Sequence, residues 1–378
     1  MLLTSTKGIT LGDPVPWFKA KNISGGGEDL HVSAGRWILL SFLGSLADAQ
    51  AQNRLASLVK HAAAFSDDHL VIYAVLANPP QNVEPLLAMS SPVLRFISDY
   101  DGAIGGFYGA DEMPRTIALD PMLRAIADIP CDHPDGHDAV LDGLLHGLPA
   151  VDNSAGVPLT APALIVPRVL DFPLCELLTG LYDKIGGQDS GFLVDHGGKT
   201  ATVKIHSQKR RQDMVIALPE LRQRIRERIV SRLLPAIERY FSYQATRIDR
   251  YSVSCYDSQM GGYFRRHRDN LNAGAEHRRF AVSMNLNSNY EGCDLIFPEF
   301  GRRTYRAPAG GAIVFSCGAL HEVTPITKGK RYALLPFLYG EAESKMRLEN
   351  NARLHQGEIP YKADQDLLYP EQAPERAG

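Results

Sequence analysis

The sequence predicts an α+β chain of two domains. The first half alternates buried strands with helices, and the second places two helices before a run of short strands. Three observations carry this reading. Residues 37–43 (WILLSFL) and 70–77 (LVIYAVLA) are unbroken apolar runs, as strands covered on both faces require. Residues 149–162 (PAVDNSAGVPLTAP) hold three prolines and no period, the composition of a linker. From 249 to 340 short alternating segments are separated by Gly, Asn and Pro, the pattern of a sandwich or jelly roll.

In the first half, residues 48–64 read as a helix with Leu55, Leu58 and Ala62 on one side. Shorter strands are expected at 93–99, 115–120 and 124–129, and a closing helix at about 138–146, giving an α/β sandwich over 1–148. In the second half, Asp171 caps a helix over 171–184 that ends at Gly186 and Gly187. Leu221, Ile225, Ile229, Leu233 and Ile237 recur every fourth residue of a longer helix at 219–241. Pro219 suits its first turn and Pro235 should kink it. Arg222, Arg224, Arg226, Arg228 and Arg232 mark its solvated faces. Strands are expected at 249–256, 262–268, 278–286, 293–297, 303–306, 311–316 and 331–339. The tail, 343–378, is charged and helical at most in part.

Composition narrows the function. Of 378 residues, 44% are hydrophobic, enough for two cores, and the formal net charge of −3 gives no support to a general nucleic-acid binder. The five cysteines are scattered without a CxxC pair, which points to a reducing compartment. Neither a secretory h-region nor an uninterrupted membrane-spanning run is present, so a cytoplasmic protein without a membrane partner is expected.

The chemistry concentrates late in the chain. In a strand through residues 262–270 (GYFRRHRDN), His267 and Asp269 would point to one face. His321 follows the strand-like GAIVFSCG segment. Two histidines and one carboxylate on one face make the facial triad of non-haem iron(II) sites, which leaves coordination positions open. A second His-x-Asp lies at His133 and Asp135, within a turn-forming string read as a polar loop. Arg331 shares a strand face with Ala333, Leu335 and Phe337, so it should point inward and need an anion. Pro336 argues for an edge or a bulge there.

Residues 163–342 resemble the prolyl 4-hydroxylase-like branch of the 2-oxoglutarate and Fe(II)-dependent oxygenases. The match runs through CYDSQMGGYFRRHRDN (255–270), RRFAVSMNLN (278–287), EGCDLIFPEF (291–300) and residues 307–339. The resemblance implies a double-stranded β-helix (jelly roll) with supporting helices. It implies His267, Asp269 and His321 as iron ligands, and Arg331 as the partner of the cosubstrate's distal carboxylate, assisted by Tyr256. Fe(II), 2-oxoglutarate and O2 would support hydroxylation of an unknown small-molecule or peptidyl substrate. Halogenating relatives lack the carboxylate that Asp269 supplies. Met284 stands where some relatives carry a tyrosine, and Cys293 where a second glycine is usual.

The first half resembles the thioredoxin-like fold of peroxiredoxins in residues 9–18, 37–45 and 114–129. Where a peroxidatic cysteine belongs, residues 42–52 read FLGSLADAQAQ. A redox-inactive domain for packing, dimerisation or substrate capture is expected, with a homodimer possible. Two other functions compete with the hydroxylase. One is a non-catalytic sensor or scaffold binding iron and 2-oxoglutarate. The other is a thiol peroxidase, against which the missing nucleophile counts.

Overall fold

The structure is a computed structural model that describes residues 8–111, 113–133, 136–196, 199–354, 360–362 and 367–369. The chain divides into two compact units, residues 1–161 with 297–303, and residues 162–296 with 304–378.

The first unit is built on one seven-stranded sheet. Its strands are β1 (Lys19–Asn22), β2 (Gly27–Asp29), β3 (Trp37–Phe42), β4 (Leu70–Leu76), β5 (Leu94–Ser98), β6 (Arg115–Leu119) and β7 (Ala125–Pro130), in the order β2-β1-β5-β4-β3-β6-β7. β3, β4 and β5 are parallel, and β6 joins β3 antiparallel. The parallel centre needs crossovers, which the helices Ala49–Ala62 and Glu84–Met89 supply. Every residue of β3 and β4 is buried, which explains the unbroken apolar runs of their sequences. Asp48 caps the first helix by accepting from the Gln50 N–H, and His137–Gly147 is the closing helix.

The second unit keeps the expected α+β class but not the expected double-stranded β-helix. Among the described residues its strands lie in open sheets, and none closes or curls on itself. The nine-stranded sheet runs Arg247–Asp249, Phe337–Tyr339, Phe280–Asn285, Lys330–Leu334, Ser252–Asp257, Gln212–Val215, Gln188–Asp189. Ala312–Ser316 also pairs with Phe280–Asn285 and carries Leu164–Val166. A five-stranded sheet runs Lys209–Arg210, Tyr263–His267, His321–Val323, Leu295–Ile296, Thr304–Tyr305. Both end on strands of two or three residues. Alternation in a sequence locates strands but not their partners, so the jelly-roll expectation had no pairing information behind it.

Local chemistry explains several departures. The long helix is three pieces, Pro219–Arg228, a π-helical turn Ile229–Leu233, and Leu234–Phe241. Pro235 cannot donate to the preceding turn, and the π turn absorbs the mismatch. Its arginines are less free than a solvated face implies: Arg228 pairs with Asp171 at 2.8 Å, and Arg232 donates to the Val169 carbonyl. The strand expected at 331–339 is broken at residues 335–336, and both pieces pair with Phe280–Asn285. A helix, Glu341–Glu349, opens the tail. The hairpin Phe192–His196 with Lys199–Val203 had no counterpart in the sequence reading. No helix among the described residues is long and apolar enough to cross a membrane.

Candidate metal centre

His267 closes the strand Tyr263–His267, directly opposite His321, the first residue of His321–Val323. The register shifts between Phe264 and His267: three steps on one strand oppose two on the other, from Val323 to His321. This β-bulge puts Phe264 and His267 on one side, and their rings stack with centroids 3.5 Å apart and planes at 21°. Asp269 lies past the end of the strand rather than within it. Strand alternation therefore does not aim it; its backbone N–H donates to the Cys317 carbonyl at 2.9 Å, which ties it to the loop before His321.

One ligand atom each from His267, Asp269 and His321 lies within 4.8 Å of the others. The Nδ1 of His267 meets the Arg265 carbonyl at 2.6 Å, and that of His321 meets the Ala319 carbonyl at 3.0 Å. A carbonyl only accepts, so each Nδ1 carries the proton, and in the neutral ring each Nε2 presents a lone pair. Those Nε2 atoms face the Asp269 carboxylate at 3.5 and 3.4 Å. Two lone pairs turned on a carboxylate repel it unless a cation stands among them, so the donor set fits a divalent metal. Burial favours the neutral acid at Asp269, but His321 and His267, in their protonated forms, and Arg278 outweigh it and hold the carboxyl below its ordinary range. Burial, then His267, pushes the His321 ring down to about 4, which keeps it a neutral ligand.

Arg331 lies on Lys330–Leu334, opposite Tyr256 in the neighbouring strand. It is 3% exposed. Its Nε donates to Asn285 Oδ1 at 3.0 Å, one terminal nitrogen to Ser283 Oγ at 2.6 Å, and the other to the Cys293 carbonyl at 3.2 Å. All are neutral, and among the described residues no carboxylate pairs with it. A buried guanidinium among neutral acceptors is a cradle for an anion brought from outside. Tyr256 is buried with its ring 5.6 Å from the Arg331 guanidinium carbon.

Two expected departures resolve differently. Met284 packs in the apolar core, while its neighbours Ser283 and Asn285 turn to Arg331. The period of two in RRFAVSMNLN could have identified these two. Cys293 has φ 58°, beside Gly292 at 72°, and this left-handed backbone coincides with its carbonyl reaching Arg331. Of the other His-x-Asp, Asp135 lies outside the described residues.

Residues 251–339 match the model of the 2OG-Fe(II) oxygenase superfamily. A PKHD-type hydroxylase of Synechococcus sp. (strain JA-2-3B'a(2-13)) is 31% identical over 129 residues, 31% of this chain and 55% of that protein. The chain thus spans about half the length of this curated relative. A prolyl-4-hydroxylase structure from Pseudomonas putida is 18% identical, with TM-score 0.37, covering 50% of this chain and 96% of that one. A structure of a putative thiol:disulfide interchange protein DsbE from Chlorobium tepidum is 17% identical, with TM-score 0.31, covering 37% and 98%. Likenesses of that size carry no weight for function. The C-terminal region holds a 2OG-Fe(II) oxygenase domain related to PKHD-type hydroxylases.

Proposed function

We propose that the whole protein is an Fe(II)- and 2-oxoglutarate-dependent dioxygenase that hydroxylates a small-molecule or peptidyl substrate in the manner of prolyl 4-hydroxylases. The observation that carries this is the convergence of two imidazole lone pairs and one carboxylate from His267, His321 and Asp269. In this reading those three residues hold iron(II), and Arg331, with Tyr256 beside it, receives the distal carboxylate of 2-oxoglutarate. Bound iron(II) and 2-oxoglutarate supply the oxidising power that couples decarboxylation of the cosubstrate to C–H hydroxylation with O2.

The chain's own residues bind, orient and exclude water. The two carbonyl-bonded Nδ1–H groups fix both imidazole rings, and the Asp269 backbone bond fixes the carboxylate between them. Asn285, Ser283 and the Cys293 carbonyl fix the guanidinium before an anion arrives, which lowers the ordering cost of binding. Burial of Arg331 and Tyr256 keeps water from competing for that charge. Asp269 occupies the carboxylate position whose absence marks halogenating relatives, which favours hydroxylation.

The first unit we read as a thioredoxin-like domain without peroxidase activity, available for packing, homodimerisation or substrate capture. Three parallel central strands with antiparallel strands on both sides support that reading. So does Cys131, whose thiol burial pushes up, away from a reactive thiolate. Free cysteines at 131, 175, 255, 293 and 317 favour a reducing, cytoplasmic setting. The test is succinate release from 2-oxoglutarate by iron-loaded protein over a substrate panel, with Asp269→Ala as control. Release that needs iron and disappears in the variant supports the reading; equal release by the variant rejects it.

A further inference from the structure

Asp269 lies beyond the end of its strand, so strand pairing does not fix its backbone. Two hydrogen bonds do so instead. Its N–H donates to the Cys317 carbonyl at 2.9 Å, and the Cys317 N–H donates in turn to the Arg279 carbonyl at 2.9 Å. Its carbonyl accepts from a terminal nitrogen of Arg278 at 3.4 Å. These two groups belong to the peptide planes on either side of the Asp269 Cα, and holding both planes sets its φ and ψ. Those angles set the direction in which the carboxylate leaves the chain. Residues 278 and 279 thus hold the ligand from both sides, one through a backbone carbonyl and one through a side chain.

Arg278 is itself held in place. Its Nε and its other terminal nitrogen lie 3.4 and 3.3 Å from Asp249 Oδ2, and its guanidinium carbon stands 3.9 Å from the centroid of the Phe337 ring. The bonds are long, so the carboxylate and the aromatic face together fix the plane of the guanidinium. The second oxygen of Asp249 accepts from Arg347 at 3.2 Å, and Arg347 also donates to the Tyr339 hydroxyl at 2.7 Å. Arg347 belongs to the tail helix Glu341–Glu349. Glu343 of the same helix accepts from Arg279 Nε at 2.9 Å. The tail helix therefore reaches both of the residues that hold Asp269.

We propose that Arg278 is the positioning residue of the metal ligand Asp269, and that the tail helix acts on the metal centre through Arg347, Asp249 and Arg278. The proposal rests on the assignment of Asp269 as a metal ligand above. A guanidinium suits this place because its flat fork presents separate N–H groups to the Asp249 carboxylate and to the Asp269 carbonyl. Lysine would put a single point charge there, keeping the positive charge near Asp269 while losing the span. That substitution separates holding the ligand in place from acting on its charge.

The experiment is a titration of the full chain, free of metal, with Co(II). It is read by calorimetry and by the visible d–d bands, whose position and intensity report the ligand set. Arg278→Lys is expected to lower Co(II) affinity by about tenfold and to move the bands toward those of Asp269→Ala. Arg347→Gln, one step farther out, should move both in the same direction by less. Because its effect passes through Arg278, it should add nothing once Arg278→Lys is in place. Parent-like affinity and bands in a folded Arg278→Lys protein overturn the proposal. So does an Arg347→Gln effect as large in that background as in the parent. If Arg278→Lys does not fold, Arg347→Gln decides alone: shifted bands support the proposal and unchanged bands overturn it. A parent protein that takes up no Co(II), or an Asp269→Ala protein that takes it up equally well, removes the metal-centre assignment itself, and the proposal falls with it.

Discussion

Each unit buries a histidine beside an aspartate, and the two arrangements differ in what they leave open. In the first unit, His137 Nε2 meets Thr116 Oγ1 at 2.9 Å, Thr116 meets Ser41 Oγ at 2.9 Å, and His137 Nδ1 meets Asp138 at 3.1 Å. Both ring nitrogens have partners, so the chain of bonds is complete. In the second unit, His267 and His321 each use Nδ1 on a carbonyl and turn Nε2 toward the shared Asp269 carboxylate. A network closed among neighbouring side chains stabilises and specifies a core, whereas ligand atoms of two histidines and a carboxylate converging within 4.8 Å make a place for a metal. Proximity of His to Asp does not separate the two cases; the convergence of three ligand atoms on one point does.

The comparison can be broken at several points. The largest effect is expected from Asp269→Ala, which removes the only anionic ligand of the candidate centre. Metal affinity should fall by more than about 100-fold, with the thermal midpoint of the metal-free protein not lowered; calorimetric metal titration and a melting curve check both halves. Next comes Arg331→Ala. A buried charge pair broken on one side typically costs about 3–5 kcal/mol, so 2-oxoglutarate affinity should weaken by at least about 100-fold. An unchanged affinity would exclude Arg331 from the anion cradle.

Acid should act on the second unit through His277, which is 1% exposed and whose ring nitrogens have no hydrogen-bond partner among the described residues. Asp249 stands 3.7 Å away, beyond hydrogen-bond reach. Burial first pushes this imidazole from its ordinary 6.5 down to about 4. The unfolded chain takes up a proton near the higher value and the folded chain resists until the lower. The stability contribution is therefore full above 6.5 and is lost as pH falls toward 4, by about 3 kcal/mol. Urea unfolding of the metal-free protein across that range should slope downward toward acid, and His277→Gln should make the slope shallower, with His321 supplying the remainder. The smallest effect is expected from Thr116→Val, which breaks the first unit's closed chain. Leaving His137 Nε2 unpaired should cost about 1–3 kcal/mol, while metal titration of that variant matches the parent protein.

Much of the site was legible because its residue types are few and chemically specific. His267, Asp269, His321 and Arg331 could be named from strand context and chemistry, and the structure brings the first three together. The geometry was less legible. Alternation placed Asp269 in a strand, but the strand ends at His267 and a loop bond to Cys317 does the aiming. The bulge that stacks Phe264 on His267 depends on pairing with a strand some fifty residues away, which no local pattern encodes. The double-stranded β-helix that the family resemblance implied likewise had no pairing information from this sequence behind it, and the sheets are open. A helix start was readable where its cap was, as at Asp171, and the π turn before Pro235 was anticipated only as a kink.

The most direct measurement is an anaerobic titration of the purified, metal-free protein with Fe(II) and 2-oxoglutarate, followed by visible absorption, with Asp269→Ala alongside. A metal-to-ligand charge-transfer band that requires both additions and is missing from the variant is the expected result. A folded parent protein that binds iron yet develops no such band, or a variant that develops it equally, would contradict the assignment of His267, Asp269, His321 and Arg331 to one cofactor site.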